Sequence, residues 1–252
     1  MQENQTYTPD SGRPVQKKMN LREWLDNFWY HYKWHSLVAL FLVFAITVCS
    51  LQMCQKTSYD VHVMYAGSYE IERTSESGTP EYEAFISSLS RVSDDFDESG
   101  HVTVNLRDLF LLSSKEIEEA EKDKEHEVNY VLINQNIQIF KDNMAMSDYY
   151  VCFISKTLYD EYKLYGNETM FAPLAPYVSK DTKIEYYDTG AVLLSSTGFS
   201  TLPGIRNLPD DTVVCLRRVS AVAEHLNKKQ TAEQFARAEK VIEKILNYKP
   251  IV

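Results

Sequence analysis

The chain has 252 residues, 44% of them hydrophobic and 25% charged, which gives room for one sizeable domain plus extra segments and excludes wholesale disorder. Its net charge of −10 is unevenly placed: residues 1–56 take six of the 26 basic and four of the 36 acidic residues, leaving 20 against 32, a net of −12, for residues 57–252. So acidic a region lacks the electrostatic footprint of a nucleic-acid binder.

Residues 1–19 (MQENQTYTPDSGRPVQKKM) are polar, carry Gly and Pro and show no periodicity, which predicts a flexible tail. "NLRE" at 20–23 has the spacing of a capping box, with a side-chain acceptor at the cap and a carboxylate three residues on. Leu21, Leu25, Phe28, Trp29 and Tyr32 then mark one face of a helix. That face leads into residues 34–53, which contain no charged side chain. At about 1.5 Å per residue, 20 residues span roughly 30 Å, the thickness of a bilayer's hydrocarbon core.

The expected anchor surface is Trp34, Leu37, Phe41, Phe44, Val48 and Leu51, with Trp24, Trp29, Tyr30, Tyr32 and Trp34 crowding one end as rings do at a headgroup layer. Five cations precede the run, and only Lys56 follows it before Arg73, so the positive-inside rule places residues 1–33 in the cytoplasm and 57–252 outside. "SLQMC" offers no small-residue cleavage pair, and Met53 stands where a lipoprotein signal before Cys54 wants a small residue, so the run reads as an uncleaved anchor. His31 and His35 share a helix face, as a metal or haem site would require, but one span would need a second copy to use them, and His is common among interfacial aromatics.

Beyond the anchor the pattern becomes α/β. Val61, Val63 and Tyr65 alternate as a strand, followed by a helix opened by Thr79-Pro80 with Tyr82, Phe85, Ile86, Leu89 and Val92 as its inward stripe. Val102, Val104 and Leu106 form a second strand. "SSKE" at 113–116 caps a very polar helix expected to run on to Phe140. "DYYVCFIS" is a third strand bounded by Ser155, where a short helix over 156–163 begins and Gly166 ends it. A strand at 191–194 and "TVVCLRRV" follow, and "TAEQ" at 231–234 is predicted to cap a last helix with Phe235, Ala238, Ile242, Ile245 and Leu246 inward. Strands alternating with helices predict one helix-covered mixed sheet over residues 57–252.

The stretch 128–178 resembles type 2 periplasmic solute-binding proteins. The residues carrying the likeness are the strand 148–154, the helix face 158–162, Gly166 and the "F-x-P-L" segment 171–174. The strand "YDVHVMYAG" and the helix "AEQFARAEKVIEKIL" are similar to that family's first strand and its "A-x-x-F" helices. The anchor plus this region also resembles small membrane-tethered proteins of Gram-positive bacteria. The resemblance implies one reduced solute-binding-like lobe displayed outside the cell; the matched positions are packing positions, so no ligand contact carries over.

Candidate chemistry is sparse. "HEVNY" at 126–130 begins like HExxH, but Tyr130 stands where the second zinc-binding His is needed. "DFDESG" at 95–100 has Asp95, Asp97, Ser99 and Gly100 at calcium-loop positions, yet Leu106 occupies the place of the bidentate Glu, so an acidic turn explains it more simply. There is no CxxC and no Cys/His cluster. Cys152 and Cys215 are expected as buried free thiols, with pairing in an oxidising compartment the alternative. No GxSxG, GxxxxGK[ST] or GxGxxG occurs, the carboxylate pairs Asp94/Asp95 and Asp210/Asp211 fall in turns, and no cofactor or catalysis is expected. The NxT sequons at Asn4 and Asn167 decide nothing.

The one binding-surface candidate is the tyrosine pairs Tyr149/Tyr150 and Tyr186/Tyr187, whose outward members suit a sugar or protein by stacking plus a hydroxyl. The sequence-level reading is thus a single-pass membrane protein, amino terminus cytoplasmic and domain extracellular. It would be a binding or interaction module for a solute, cell-wall polymer or partner protein. The alternative is a structural subunit of a transport or envelope assembly, with an extracytoplasmic enzyme third.

Overall fold

The computed structural model describes residues 20–54, 59–71, 80–122, 129–146, 148–165 and 168–250. Expectations placed on residues 1–19, Thr79, His126, Gly166, the sequons and the side chains of Glu23, Met53 and Cys54 lie outside them. The chain divides into two compact units, Met1–Thr57 and Ser58–Val252.

In the first unit, the aromatic segment and the apolar run form one helix, α1 (Leu21–Cys54). Asn20 accepts the Trp24 N–H at 3.0 Å, the first turn of that helix. Trp24, Phe28 and Tyr32 stack at four-residue steps, with centroids 5.7 and 5.4 Å apart. The Thr47 hydroxyl donates to the Val43 carbonyl at 2.8 Å, so it needs no partner outside the helix. Residues Phe28–Leu51 form the one helix among those described that is long and apolar enough to cross a membrane.

The second unit is α/β, as the strand–helix alternation predicts. Its strands are β1 (Val61–Gly67), β2 (Val104–Phe110), β3 (Val151–Ser155), a short β4/β5 pair (Leu164–Tyr165, Glu168–Thr169), β6 (Tyr186–Asp188), β7 (Ala191–Leu193) and β8 (Thr212–Leu216). Its helices are α2 (Pro80–Ser90), α3 (Ser114–Lys122), α4 (Tyr130–Met146), α5 (Lys156–Tyr162) and α6 (Ala221–Leu246). Six strands make one mixed sheet in the order β2-β1-β3-β8-β7-β6. The first three are parallel; β3–β8, β8–β7 and β7–β6 are antiparallel.

Period-two burial splits the core across this sheet. Val61, Val63, Tyr65, Val151, Phe153 and Val214 pack with Phe85 and Leu89 of α2 and Val241, Ile242 and Ile245 of α6. Met64, Ala66, Cys152, Ile154 and Cys215 pack with Phe140 and Met144 of α4 and Leu158 and Tyr159 of α5. Helices therefore cover both faces. Gly204 marks a tight approach on the first face: its φ is +79°, and a Cβ there would lie 2.5 Å from the Phe85 nitrogen. The Ser88 hydroxyl reinforces that contact, donating to the Pro203 carbonyl at 2.7 Å.

Capping chemistry holds at two predicted sites and moves at a third. The Ser113 N–H donates to Glu116 Oε2 (2.7 Å) while the Glu116 N–H donates to Ser113 Oγ (3.2 Å), a reciprocal box. Ser155 caps α5 by accepting the Leu158 N–H. The polar helix expected from 113 to 140 is instead α3 and α4. The last helix begins at Ala221, capped by Ser220, ten residues before the predicted cap Thr231. Asn227 breaks it with φ −154° and ψ 74°, and Thr231 is buried inside it, donating to the Ala223 carbonyl at 3.1 Å across the break. The hydroxyl that looked like a cap is spent stitching the two segments together.

Candidate functional site

In doubly wound sheets, ligands favour the carboxyl ends of the parallel strands where successive connections leave on opposite faces. Here α2 follows β1 onto one face and α4 follows β2 onto the other. The chain fills that region itself. Glu116 Oε2 accepts the Ser113 N–H, the Ser113 hydroxyl (2.6 Å) and the Thr157 hydroxyl (3.0 Å). Asp108 Oδ2 accepts the Ile71 N–H at 2.6 Å. Nearby Asp211 has its carboxyl pushed up, first by burial and then by Glu116.

The tyrosine pairs have opposite fates. Tyr149 and Tyr150 are both buried, which corrects the expectation that one of them faces out. They precede β3 and fall on opposite faces of a sheet that helices cover on both sides, Tyr149 in the core beneath α4 and Tyr150 in the core beneath α2 and α6, and beside them lies Arg217. This fully buried cation sits 4.5 Å from the Tyr150 ring centroid and donates to the Tyr149 carbonyl (3.1 Å) and to the Met144 carbonyl (2.9 Å). A charge taken out of water needs such acceptors and ring faces, and the last carbonyls of α4 need a donor. Burial lowers the Arg217 pKa. Tyr149 lies edge-on to His62 (5.5 Å), whose own pKa burial pushes down. This cluster fastens α4 to the sheet and presents no surface.

Tyr186 and Tyr187 lie on the edge strand β6, 43% and 37% exposed. The Tyr187 hydroxyl donates to Asp160, whose other oxygen accepts from Lys163 at 2.9 Å; Lys163 also pairs with Asp188 at 3.5 Å. Lys156 stands 5.7 Å from the Tyr187 ring centroid, and Tyr159 backs the face by stacking on Phe171 at 5.0 Å. The hydrogen bond from Tyr187 holds the Asp160 carboxyl below its ordinary value, and the same bond raises the Tyr187 phenol. Hydrogen bonding to Asp160 likewise raises Lys163. The face thus gathers the Tyr187 phenol, the Asp160 and Asp188 side chains and the Lys156 and Lys163 side chains in one hydrogen-bonded and ring-stacked group.

Among the described residues, three carboxylates, from Asp60, Asp95 and Asp97, bring oxygens within 4.8 Å of one another, close enough to share a hard cation. Their positions have a simpler cause. Fully buried Asp60 accepts the N–H groups of Phe96 (2.7 Å), Asp97 (3.2 Å) and Thr103 (2.8 Å) and the Thr103 hydroxyl (3.0 Å). Asp95 accepts the Ser99 and Gly100 N–H groups, and Asp97 accepts that of Ser99. Leu106, at the place of the missing clamp, is buried in the core. Asp60 went unnoticed in the sequence because it lies 35 positions from Asp95; its one local signal is an acid directly before a strand.

Cys152 and Cys215 are buried free thiols opposite one another across β3 and β8, and burial raises the Cys215 pKa. A groove of about 560 Å³ lies where α2 and α6 end, lined by Arg91, Asp94, Ser179, Lys240, Lys244 and Lys249 among others. Comparisons with protein-family models, with curated proteins and with solved structures find no match for the chain.

Proposed function

We propose that this chain is a single-pass membrane protein that displays its α/β lobe outside the cytoplasm as a binding or interaction module for a wall polymer or a partner protein. One observation carries the reading: a long helix whose apolar side chains are exposed is joined to a separate unit with its own two-faced core. Trp34 (71%), Leu37 (54%), Phe41 (65%), Phe44 (66%) and Leu51 (58%) are exposed, and Val48 is half-buried. At about 25 cal/mol per Å², so much apolar surface is stable only in a low-dielectric host. The cations before the run support an amino terminus inside.

The extramembrane unit has one six-stranded sheet and, among the described residues, no second lobe to close over a solute. The resemblance to a single binding-protein lobe therefore supports recognition on a surface rather than enclosure of a small molecule, and the Tyr186/Tyr187 face is the candidate surface. The stacked ladder Trp24–Phe28–Tyr32 favours a second reading, a structural subunit that assembles through α1.

Cysteines introduced at Lys180 and, separately, at Asn20, both exposed positions, test the orientation with an impermeant maleimide. In intact cells Lys180→Cys labels and Asn20→Cys does not; the reverse overturns the topology. Tyr186→Ala with Tyr187→Ala then reduces partner recovery from mild detergent at least about tenfold, near 1.4 kcal/mol. Recovery that is unchanged there but lost on Phe28→Ala assigns the assembly role to α1 instead.

A further inference from the structure

Residues 57–252 are strongly acidic, yet the groove where α2 and α6 end is basic. Its lining carries Arg91, Lys240, Lys244 and Lys249 against Asp94 and Glu243. Two helix carboxyl ends contribute about half a negative charge each, roughly −1 together. The lining side chains carry +2, so more cations gather there than the helix ends require.

Pairing does not account for the surplus. Lys244 is matched by Asp94. Arg91, Lys240 and Lys249 pair with no carboxylate among the described residues, in a lobe with acids to spare. Lys240 stands instead 5.4 Å from the Phe96 ring centroid, and Arg237 lies 5.2 Å from the same centroid, so two like charges share one ring. One neighbouring acid is engaged elsewhere: Glu239 accepts the Tyr177 hydroxyl at 2.6 Å, and burial together with that carboxylate pushes the phenol up to about 12.

The groove's polar wall is fixed. Asn247 Oδ1 accepts the Ser179 N–H (2.8 Å) and the Thr182 hydroxyl (2.9 Å), while its Nδ2 donates to the Tyr177 and Glu243 carbonyls. A volume of about 560 Å³ lies within the roughly 300–1,000 Å³ of small-ligand sites.

We infer that this groove binds a small phosphate-bearing anion, held by Arg91, Lys240 and Lys249. The site is distinct from the Tyr186/Tyr187 face and does not depend on the membrane reading. The test is calorimetric titration of the full chain in neutral detergent at low salt with sodium pyrophosphate and, in parallel, glycerol phosphate. Saturable binding of either supports the site, and the tighter of the two separates a free diphosphate from a headgroup- or polymer-like phosphate. Lys240→Ala with Lys249→Ala weakens the binding at least about tenfold. Lys228→Ala with Lys229→Ala leaves it unchanged, because those two cations pair with Glu224 and Glu233 elsewhere on α6. Circular dichroism confirms that both variants remain folded. No saturable heat with either anion, or equal weakening in the two double variants, overturns the proposal.

Discussion

The helix α1 and the lobe Ser58–Val252 use the same apolar residue types in opposite ways. Phe41 and Phe44 point out from α1, while Phe85, Phe153 and Phe199 are sealed inside the lobe. The difference was already written in periodicity. The α1 run is apolar on every side, whereas the lobe's elements alternate or repeat because only one of their faces is buried. A residue's hydrophobicity says that it leaves water; the period says whether it leaves for its own chain or for something else.

The most damaging way to test this division is Phe153→Ala. Phe153 lies between Phe85 and Phe199, at 6.3 Å from each. Its truncation costs the lobe about 3–5 kcal/mol in urea unfolding. Phe41→Ala leaves the same transition unmoved, and a shared loss would show that the two units are not independent.

A smaller effect is expected where the lobe buries charge instead of hydrocarbon. Arg217→Met keeps apolar bulk against Tyr150 but leaves the Met144 and Tyr149 carbonyls without this donor. Relief of the cation's desolvation offsets part of that loss, so about 2 kcal/mol is expected, with amide exchange rising first in the last turn of α4. Unchanged exchange there would remove Arg217 as the fastening of α4.

The smallest effect is of opposite sign. Burial and Glu116 raise the Asp211 carboxyl above its unfolded value, so its ionisation opposes folding. Its favourable contribution is present below the unfolded pKa near 3.9 and is lost as pH rises through the folded value. Asp211→Asn therefore stabilises the lobe at pH 7, by less than about 1 kcal/mol after solvent screening, and the gain shrinks toward pH 4. A gain that grows on acidification would reverse this reading.

Elements whose cause is local were legible in the sequence. Pro80 starts α2, Ser113 and Glu116 form their box, Ser155 caps α5, the strand around Val63 falls where alternation puts it, and those around Phe153 and Val214 fall on continuous apolar runs buried at every position. Misreadings occurred where a distant partner overrode a local rule. Thr231 has the spacing of a cap but bonds across the break at Asn227, and Tyr149 and Tyr150 are covered by helices that pack on the two opposite faces of the sheet. Of the two tyrosine pairs, only the one on the edge strand reached the surface.

The sequence by itself determined that this chain has one helix able to leave water without its own core, and one acidic lobe built of strands and helices. Both follow from the spacing of apolar and polar residues along a few turns or strand pairs. Only the tertiary structure decided that β8 lies beside β3, that Cys152 faces Cys215, that Asp60 meets Asp95, and that Arg91 joins Lys240 and Lys249 around a groove. Those juxtapositions join residues 35 to more than 150 positions apart, and no local period records which distant segment will close against which.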